Sequence, residues 1–296
     1  MKAEGEGRKL TAAQGWVTTA RTLFDTQRGT MEKQTGCDKL IARTEGGIGW
    51  IIFNNPGKRN AMSQEMHEAM TAVLDDYARD PAVRVVILRG EGDKAFISGA
   101  DISQFAERRS TPEGVRESDA ISERSNQALR ECPKPTIAMI YGYCMGGGLG
   151  TAIACDLRIA SDDARFGIPA ARLGVGYRYP GVKRLVDLVG PSFTTEIFYT
   201  GRQFTAQEAL QMGLVNRVLP AAELEQYVLG YANTICVNAP LTIAAVKRCV
   251  TEIRKDPDER DLALCQTMVD GCFASLDFIE GRTAFMEKRK PAFTGR

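Results

Sequence analysis

An α/β fold is predicted by three features of the sequence. Strand, turn, strand and helix recur along residues 40 to 190. Two buried strands within that stretch end in glycine-bearing turns that open helices, and from Thr205 onward the texture becomes helical. No Pro-, Gly- or Ser-rich linker separates the two textures. At 296 residues the chain is long enough for one large domain or two small ones with ample core.

The elements follow in order. The first thirty-odd residues lack an apolar segment of the secretory type, and Glu4, Glu6 and Asp25 among the arginines make a poor transit peptide. Residues 1–36 therefore read as an extension outside the fold, with a short helix expected near Trp16 to Phe24, an alternative start at Met31 and a cytoplasmic location. "LIARTEGGIGWIIFNN" reads as two strands around a turn at Glu45–Gly47. "SQEMHEAMTAVLDDYA" is an amphipathic helix whose apolar face is Met66, Met70, Val73 and Leu74, with Ser63 as its N-cap. "VRVVILRG" is a buried strand. "AFISGADI" runs from a short strand into a helix containing "QFAERR", and a long helix covers about Val115 to Glu131. "KPTIAMIYG" is a further buried strand, the glycine run Gly146–Gly148 leads into "LGTAIACD", and "LRIASDDARFGIPA" supplies two short strands. "TAQEALQMG", "AAELEQYVLGYANTICVN", "APLTIAAVKRCVTEI" and a final segment through Lys290 are helical.

Composition excludes several functions. With 38 basic against 37 acidic residues, no broad basic face for nucleic acid is expected. No apolar run approaches the roughly 20 residues of a membrane span. The eight cysteines include no CxxC pair and sit mostly in apolar stretches, so they read as reduced core residues without a metal site. His67 is the only histidine and lies on the amphipathic helix as a rim residue, which leaves histidine catalysis without a candidate.

The chemistry concentrates in "AFISGADI" and "YCMGGGLG". In each, backbone N–H groups of a first helical turn lack an intrahelical partner and are helped by the helix dipole. Two convergent donors of this kind make an oxyanion hole.

Together with "KRNAMS", "CDLRIASDDARFG", "GRQFTAQEALQMGLVNRVLP" and "FMEKRKPAF", these two segments resemble the enoyl-CoA hydratase/isomerase (crotonase) family, in the expected order from about residue 38 to 296. The resemblance implies a spiral of ββα repeats over residues 37–225, holding the acyl-CoA site, and a C-terminal helical trimerisation region over 226–296. It also implies an acyl-CoA substrate, a homotrimer or dimer of trimers, and no cofactor beyond the coenzyme A of the substrate. By position, the oxyanion donors are the N–H groups of Ala100 and Gly147. Lys58 and Arg59 match positions near the CoA phosphates. Ala95, Ser98 and Ile102 match contacts to adenine and pantetheine, and Phe285 and Lys288 match a CoA contact from the C-terminal helix. Gly146 is carried over as a substrate contact beside them.

The sequence departs from the family where a hydratase carries two glutamates, for Gly150 and Ala170 stand at those positions. Positioned acid–base groups each contribute typically about 10²–10⁴-fold, so ordinary hydration is expected to be crippled. Gly150 and Ala154 would instead offer a smooth small face to an acyl chain. Downstream, "LGVGYRYPG" resembles an "LGVPY" stretch of decarboxylases acting on malonyl-type thioesters, with Tyr177 at their tyrosine, although those enzymes differ at the position of Ala100. Glu107, Glu117 and Glu123 are other candidate acids, read first as solvated helix charge, and Asp101 is read as stiffening its turn. The leading expectation is an enzyme that stabilises a thioester enolate and catalyses decarboxylation or another lyase or isomerase step. The alternatives are a hydratase or isomerase with relocated acid–base residues, and a non-catalytic acyl-CoA-binding homologue.

Overall fold

The computed structural model describes residues 30–101 and 111–296. The chain enters through β1 (Met31–Lys33), β2 (Leu40–Glu45) and β3 (Ile48–Phe53), an antiparallel meander. After α1 (Gln64–Arg79), β4 (Val85–Gly90) runs parallel to β3. Each further turn of the chain lays one strand in each of two sheets. The pairs are β4 with β5 (Ala95–Ile97), then, after α2 (Pro112–Glu131), β6 (Thr136–Ile140) with β7 (Tyr143–Met145). After α3 (Gly147–Ala154) come β8 (Leu157–Ser161) and β9 (Arg165–Gly167). The spiral closes with α4 (Ala170–Leu173), α5 (Tyr179–Thr200, broken at Gly190), β10 (Phe204–Thr205), α6 (Ala206–Gln211) and β11 (Arg217–Leu219). Among the described residues, one sheet has the order β1-β2-β3-β4-β6-β8-β11 and the other β10-β9-β7-β5. This is the spiral of ββα units that the family resemblance implies.

The larger sheet is buried on both faces, as a parallel sheet covered by helices requires. Along β3, Trp50 and Ile52 pack with Ile87, Met139 and Ile159 against Leu224 and Val228, whereas Ile51 and Phe53 face Met66, Met70 and Phe96 in the other core cluster. The alternation has a period of two, and both of its phases are apolar. α1 begins where predicted: Ser63 Oγ accepts from the Met66 N–H, and Met66, Met70, Val73, Leu74 and Tyr77 are buried. His67 is half-buried and its Nδ1 lies 2.7 Å from Ser125 Oγ, tying α1 to α2.

The C-terminal helices are α7 (Ala221–Cys236), α8 (Pro240–Ile253), α9 (Leu262–Phe273) and α10 (Leu276–Met286). They are joined by charge. Glu252, only 1% exposed, takes Arg248, Lys255 and the Asp261 N–H, closing the α8–α9 turn. Lys247 Nζ reaches back to Asp156 at 2.8 Å. Val246, Val250, Ile253, Leu262, Phe273, Leu276, Ile279 and Met286 remain exposed on these helices.

Two expectations change. Residues 31–33, placed outside the fold from sequence, form the edge strand β1 paired with β2 from Met31↔Thr44 to Lys33↔Ala42. Lys33 also stands over the Tyr77 ring, 5.0 Å from its centroid, which seats this short strand. The expected helices near Trp16 and over "QFAERR" lie outside the described residues.

Candidate active site

The first glycine turn leaves β5 through Ser98 and Gly99. A parallel bridge fixes it: the Met62 N–H donates to Gly99 O (2.9 Å) and the Asp101 N–H donates to Met62 O (2.8 Å). These two bonds flank Ala100, so the Ala100 N–H points to the opposite side of the strand, toward β7. Side chains lock the same turn. Asp101 is buried, 5% exposed, and its carboxylate receives Lys58 Nζ at 2.9 and 3.1 Å. Ser98 Oγ donates to Lys58 O (3.1 Å) and the Ser98 N–H to Arg59 O (3.1 Å).

The second turn leaves β7 through Gly146, whose φ of 53° and ψ of −119° suit glycine alone. Its N–H donates to Gly167 O at 2.8 Å. Gly148 answers to a different constraint. A Cβ there would collide with the Ile97 carbonyl oxygen and lie 2.6 Å from Ile97 Cβ, because α3 starts directly against the end of β5. Gly147 and Gly150 carry no such restriction, for a Cβ on either meets nothing within 4 Å among the described residues. At its far end, α3 is capped by buried Arg158, whose Nη1 donates to Cys155 O (2.8 Å) and whose Nε donates to Leu214 O (2.8 Å). The Gly147 N–H stands in the first turn of α3, where no helical acceptor exists. The two turns adjoin: a Cβ on Gly146 would lie 3.9 Å from Gly99 Cα, and one on Gly99 would lie 3.7 Å from Met145 O. Two backbone donors, Ala100 and Gly147, thus sit on adjacent turns, an arrangement chemically able to hold a developing oxyanion.

A family model described as enoyl-CoA hydratase/isomerase matches residues 43–296. The chain belongs to the enoyl-CoA hydratase/isomerase family. It is 35% identical over 263 residues to a crotonyl-CoA hydratase of Syntrophomonas wolfei, covering 88% of this chain and 99% of that protein. It is likewise 35% identical over 261 residues to a carnitinyl-CoA dehydratase of Proteus mirabilis, covering 87% and 98%. Among solved structures, an enoyl-CoA hydratase/carnithine racemase from Magnetospirillum magneticum superposes with a TM-score of 0.83 at 32% identity, covering 90% of this chain and 97% of the other.

Within this member of the enoyl-CoA hydratase/isomerase family, the residues singled out from sequence gather unequally. Lys58, Arg59, Ala95 and Ser98 meet around the first turn. Arg59 adopts the left-handed conformation (φ 50°) and stands over the Tyr143 ring, 5.0 Å from its centroid. Buried Asn60 joins this group to Ala95 by donating to Ala95 O (2.7 Å) and Glu91 O (3.1 Å). Ala170 is buried at the start of α4, and its carbonyl accepts from the Val175 N–H. Gly150 is half-buried and borders open space, whereas Ala154, expected to continue the same smooth face, is 4% exposed inside the core. That face therefore ends within one helical turn.

Tyr177 is 37% exposed and its ring packs edge-on against Phe198, with centroids 4.8 Å apart. Phe285 is 82% exposed on α10, and Lys288 follows that helix with φ 54°. Among the described residues, no ring contact or hydrogen bond joins either to the two turns. Ile102 and Glu107 lie outside the described residues. Cys144 is fully buried, and burial pushes its thiol well above the usual range, which fits wall and not nucleophile.

Glu117 is exposed, as read from sequence, but Glu123 is not solvated helix charge. Its carboxylate receives two hydrogen bonds from Arg184 (2.8 and 2.9 Å) and one from Arg130 (3.0 Å). Burial alone would raise the Glu123 carboxyl, but the bonds and charge of Arg184, then of Arg130, hold it below its ordinary value. Sequence reasoning missed both arginines. The available signal was the spacing of residues 119, 123, 126 and 130, which places Asp, Glu, Asn and Arg on one face of α2.

Proposed function

We propose that this chain binds an acyl-CoA thioester, directs its carbonyl oxygen to the N–H groups of Ala100 and Gly147, and stabilises the enolate formed there, without adding water through the usual pair of glutamates. The observation that carries this reading is the adjacency of the two turns that bear the Ala100 and Gly147 N–H groups, while Gly150 and Ala170 supply no acid or base. Loss of CO2 from a malonyl-type thioester suits such a site. Breaking the C–C bond leaves its electron pair in the enolate, the two donors hold the oxygen, and one proton must then reach the α-carbon. No general base is required. A tyrosine, with a pKa of about 10 in water, is protonated at neutral pH, and Tyr177 is the proposed donor. Lys58, Arg59, Ala95, Ser98 and Ile102 are assigned to the coenzyme A moiety, with Phe285 and Lys288 reaching a site from the C-terminal helix.

A second reading, hydration or dehydration with relocated acid–base residues, is favoured by the names of the relatives. Glu123 does not fill that role as an acid, since it is held ionised between two arginines. One mass-spectrometric assay in D2O separates the readings, using 2-enoyl-, 3-enoyl- and malonyl-type CoA thioesters. CO2 loss with deuterium at the α-carbon, reduced about 10²–10⁴-fold in Tyr177→Phe, is the expected result for a lost proton donor. Rapid addition of water to a 2-enoyl-CoA would establish the second reading.

We further propose a homotrimer or a dimer of trimers. The apolar residues left exposed on α8, α9 and α10 form a surface that a monomer would leave wetted. Light scattering is expected to return three or six times the 32.4 kDa chain mass.

A further inference from the structure

We infer that the wall formed by α2 and α5 beside the site takes a second carboxylate on the acyl group, so that the preferred thioesters are those of short dicarboxylic acids. This inference rests on the acyl-CoA reading above.

The wall follows from spacing. Asp119, Glu123, Asn126 and Arg130 recur at intervals of four, three and four along α2, so they share one face. That face adjoins the helix of the second donor: Thr151 Oγ1 donates to Asn126 Oδ1 at 3.3 Å and lies at the same distance from Gly147 O. On α3, a Cβ on Gly147 or Gly150 would meet nothing within 4 Å among the described residues. One turn along α2 from Asn126, Glu123 meets Arg184 of α5, and Arg130 donates to Glu123 Oε1, the oxygen that Arg184 Nη1 also uses. Arg184 Nη2 lies 3.8 Å, and the Tyr177 ring 3.7 Å, from the position of a Cβ on Gly181. The cluster is therefore a neighbour of Tyr177.

The direct pairing is uneven. Two guanidinium groups share one hydrogen-bonded carboxylate, Glu131 acts on Arg130 through its charge alone, and the nearby Arg178 and Asp119 pair with each other at 2.8 Å. Among the described residues, Arg130 Nη1 and Arg184 Nε are buried and have no hydrogen-bond partner. The Arg184 side chain is only 12% exposed. Burial, then the charge of Arg184, weakens the hold of Arg130 on its proton, the signature of two cations facing each other in a partly dry place. An alkyl acyl chain laid here would leave both N–H groups unpaired and the repulsion unrelieved. A carboxylate matches the guanidinium fork, supplies acceptors and evens the pairing.

The test compares succinyl- and glutaryl-CoA, which carry no carboxylate on the α-carbon to lose, with their ω-methyl esters, binding each to the wild-type protein by calorimetry. The acid of at least one length is expected to bind about 10- to 100-fold tighter than its ester, the gain typical of hydrogen bonds to a charged group. Arg130→Gln, which leaves the Arg184–Glu123 pair in place, is expected to bring that ratio toward one. Equal binding of acid and ester at every length would overturn the carboxylate site while leaving the thioester reading standing. If neither acid nor ester bound, the thioester reading itself would fall. An unchanged ratio in Arg130→Gln would also overturn the assignment, and the wild-type comparison stands even if that variant fails to fold.

Discussion

The two turns that present the N–H donors do the same work and are held in opposite ways. The turn at Ala100 rests on the Met62 backbone bridge and is locked by side chains: the Lys58–Asp101 pair, the Ser98 hydroxyl and the Asn60 amide. The turn at Gly147 is held by backbone shape: the positive φ of Gly146, the closeness of Gly148 to Ile97 and the Arg158 cap on the far end of α3. The first is electrostatic and adjustable. The second is steric: Gly148 has no room for a Cβ and Gly146 holds a backbone conformation that suits glycine alone. In the proposed oxyanion hole, one rigid donor would keep the helix dipole fixed while the other N–H is positioned by groups that also face the proposed coenzyme A.

The largest expected effect falls on the rigid side. Gly148→Ala drives a Cβ into the Ile97 carbonyl, a backbone atom that has no alternative rotamer. The loss of stability is expected at the upper end of overpacking, about 3 kcal/mol, read from the urea midpoint. A variant as stable as the parent would show that α3 can slide away from β5, and the rigid half of the comparison would be lost.

Lys58→Met probes the tunable side and is expected to cost less. Asp101 stays buried, while Lys58 is half-exposed, so solvent screens the pair. A loss of about 1 kcal/mol is expected, shrinking when the parent is measured at high salt. A loss as large as that of Gly148→Ala, and independent of salt, would mean that both turns are held by packing.

These differences also explain what was legible in the sequence. The α/β core was readable because strand, turn, strand and helix recur and because Ser63 marks the start of α1, whereas its winding into a spiral followed from the family resemblance. The two donor turns were readable because glycine at a strand end is locally costly and needs a reason. Which glycine answers to which constraint was not, since Gly148 is required by Ile97, about fifty positions away in the chain. The fate of Asp101 was half legible: its stiffening role could be guessed, its partner Lys58 could not. Edge strand β1 escaped because three residues carry too little pattern. Glu123 was misread because a glutamate on a polar helix looks solvated until the helix that faces it is known, and Arg184 is 61 positions further on.

The smallest effect tests whether the wall beside the site is held by charge, as the Ala100 turn is. The folded protein holds Glu123 below its ordinary pKa, against a desolvation that opposes it, through Arg184 and Arg130. A carboxyl depressed on folding stabilises the protein above its unfolded pKa, about 4.3 for glutamate, and that contribution disappears as pH falls through the folded value. The parent is therefore expected to be more stable than Glu123→Gln at neutral pH. The gap should begin to narrow below about pH 4.3 and close at lower pH, as protonation makes the two side chains alike. Parallel urea titrations of the two proteins from neutral pH downward measure that gap directly. A gap that persists unchanged in acid would assign Glu123 a role in shape, and α2 would then belong with the rigid turn and not with the tunable one.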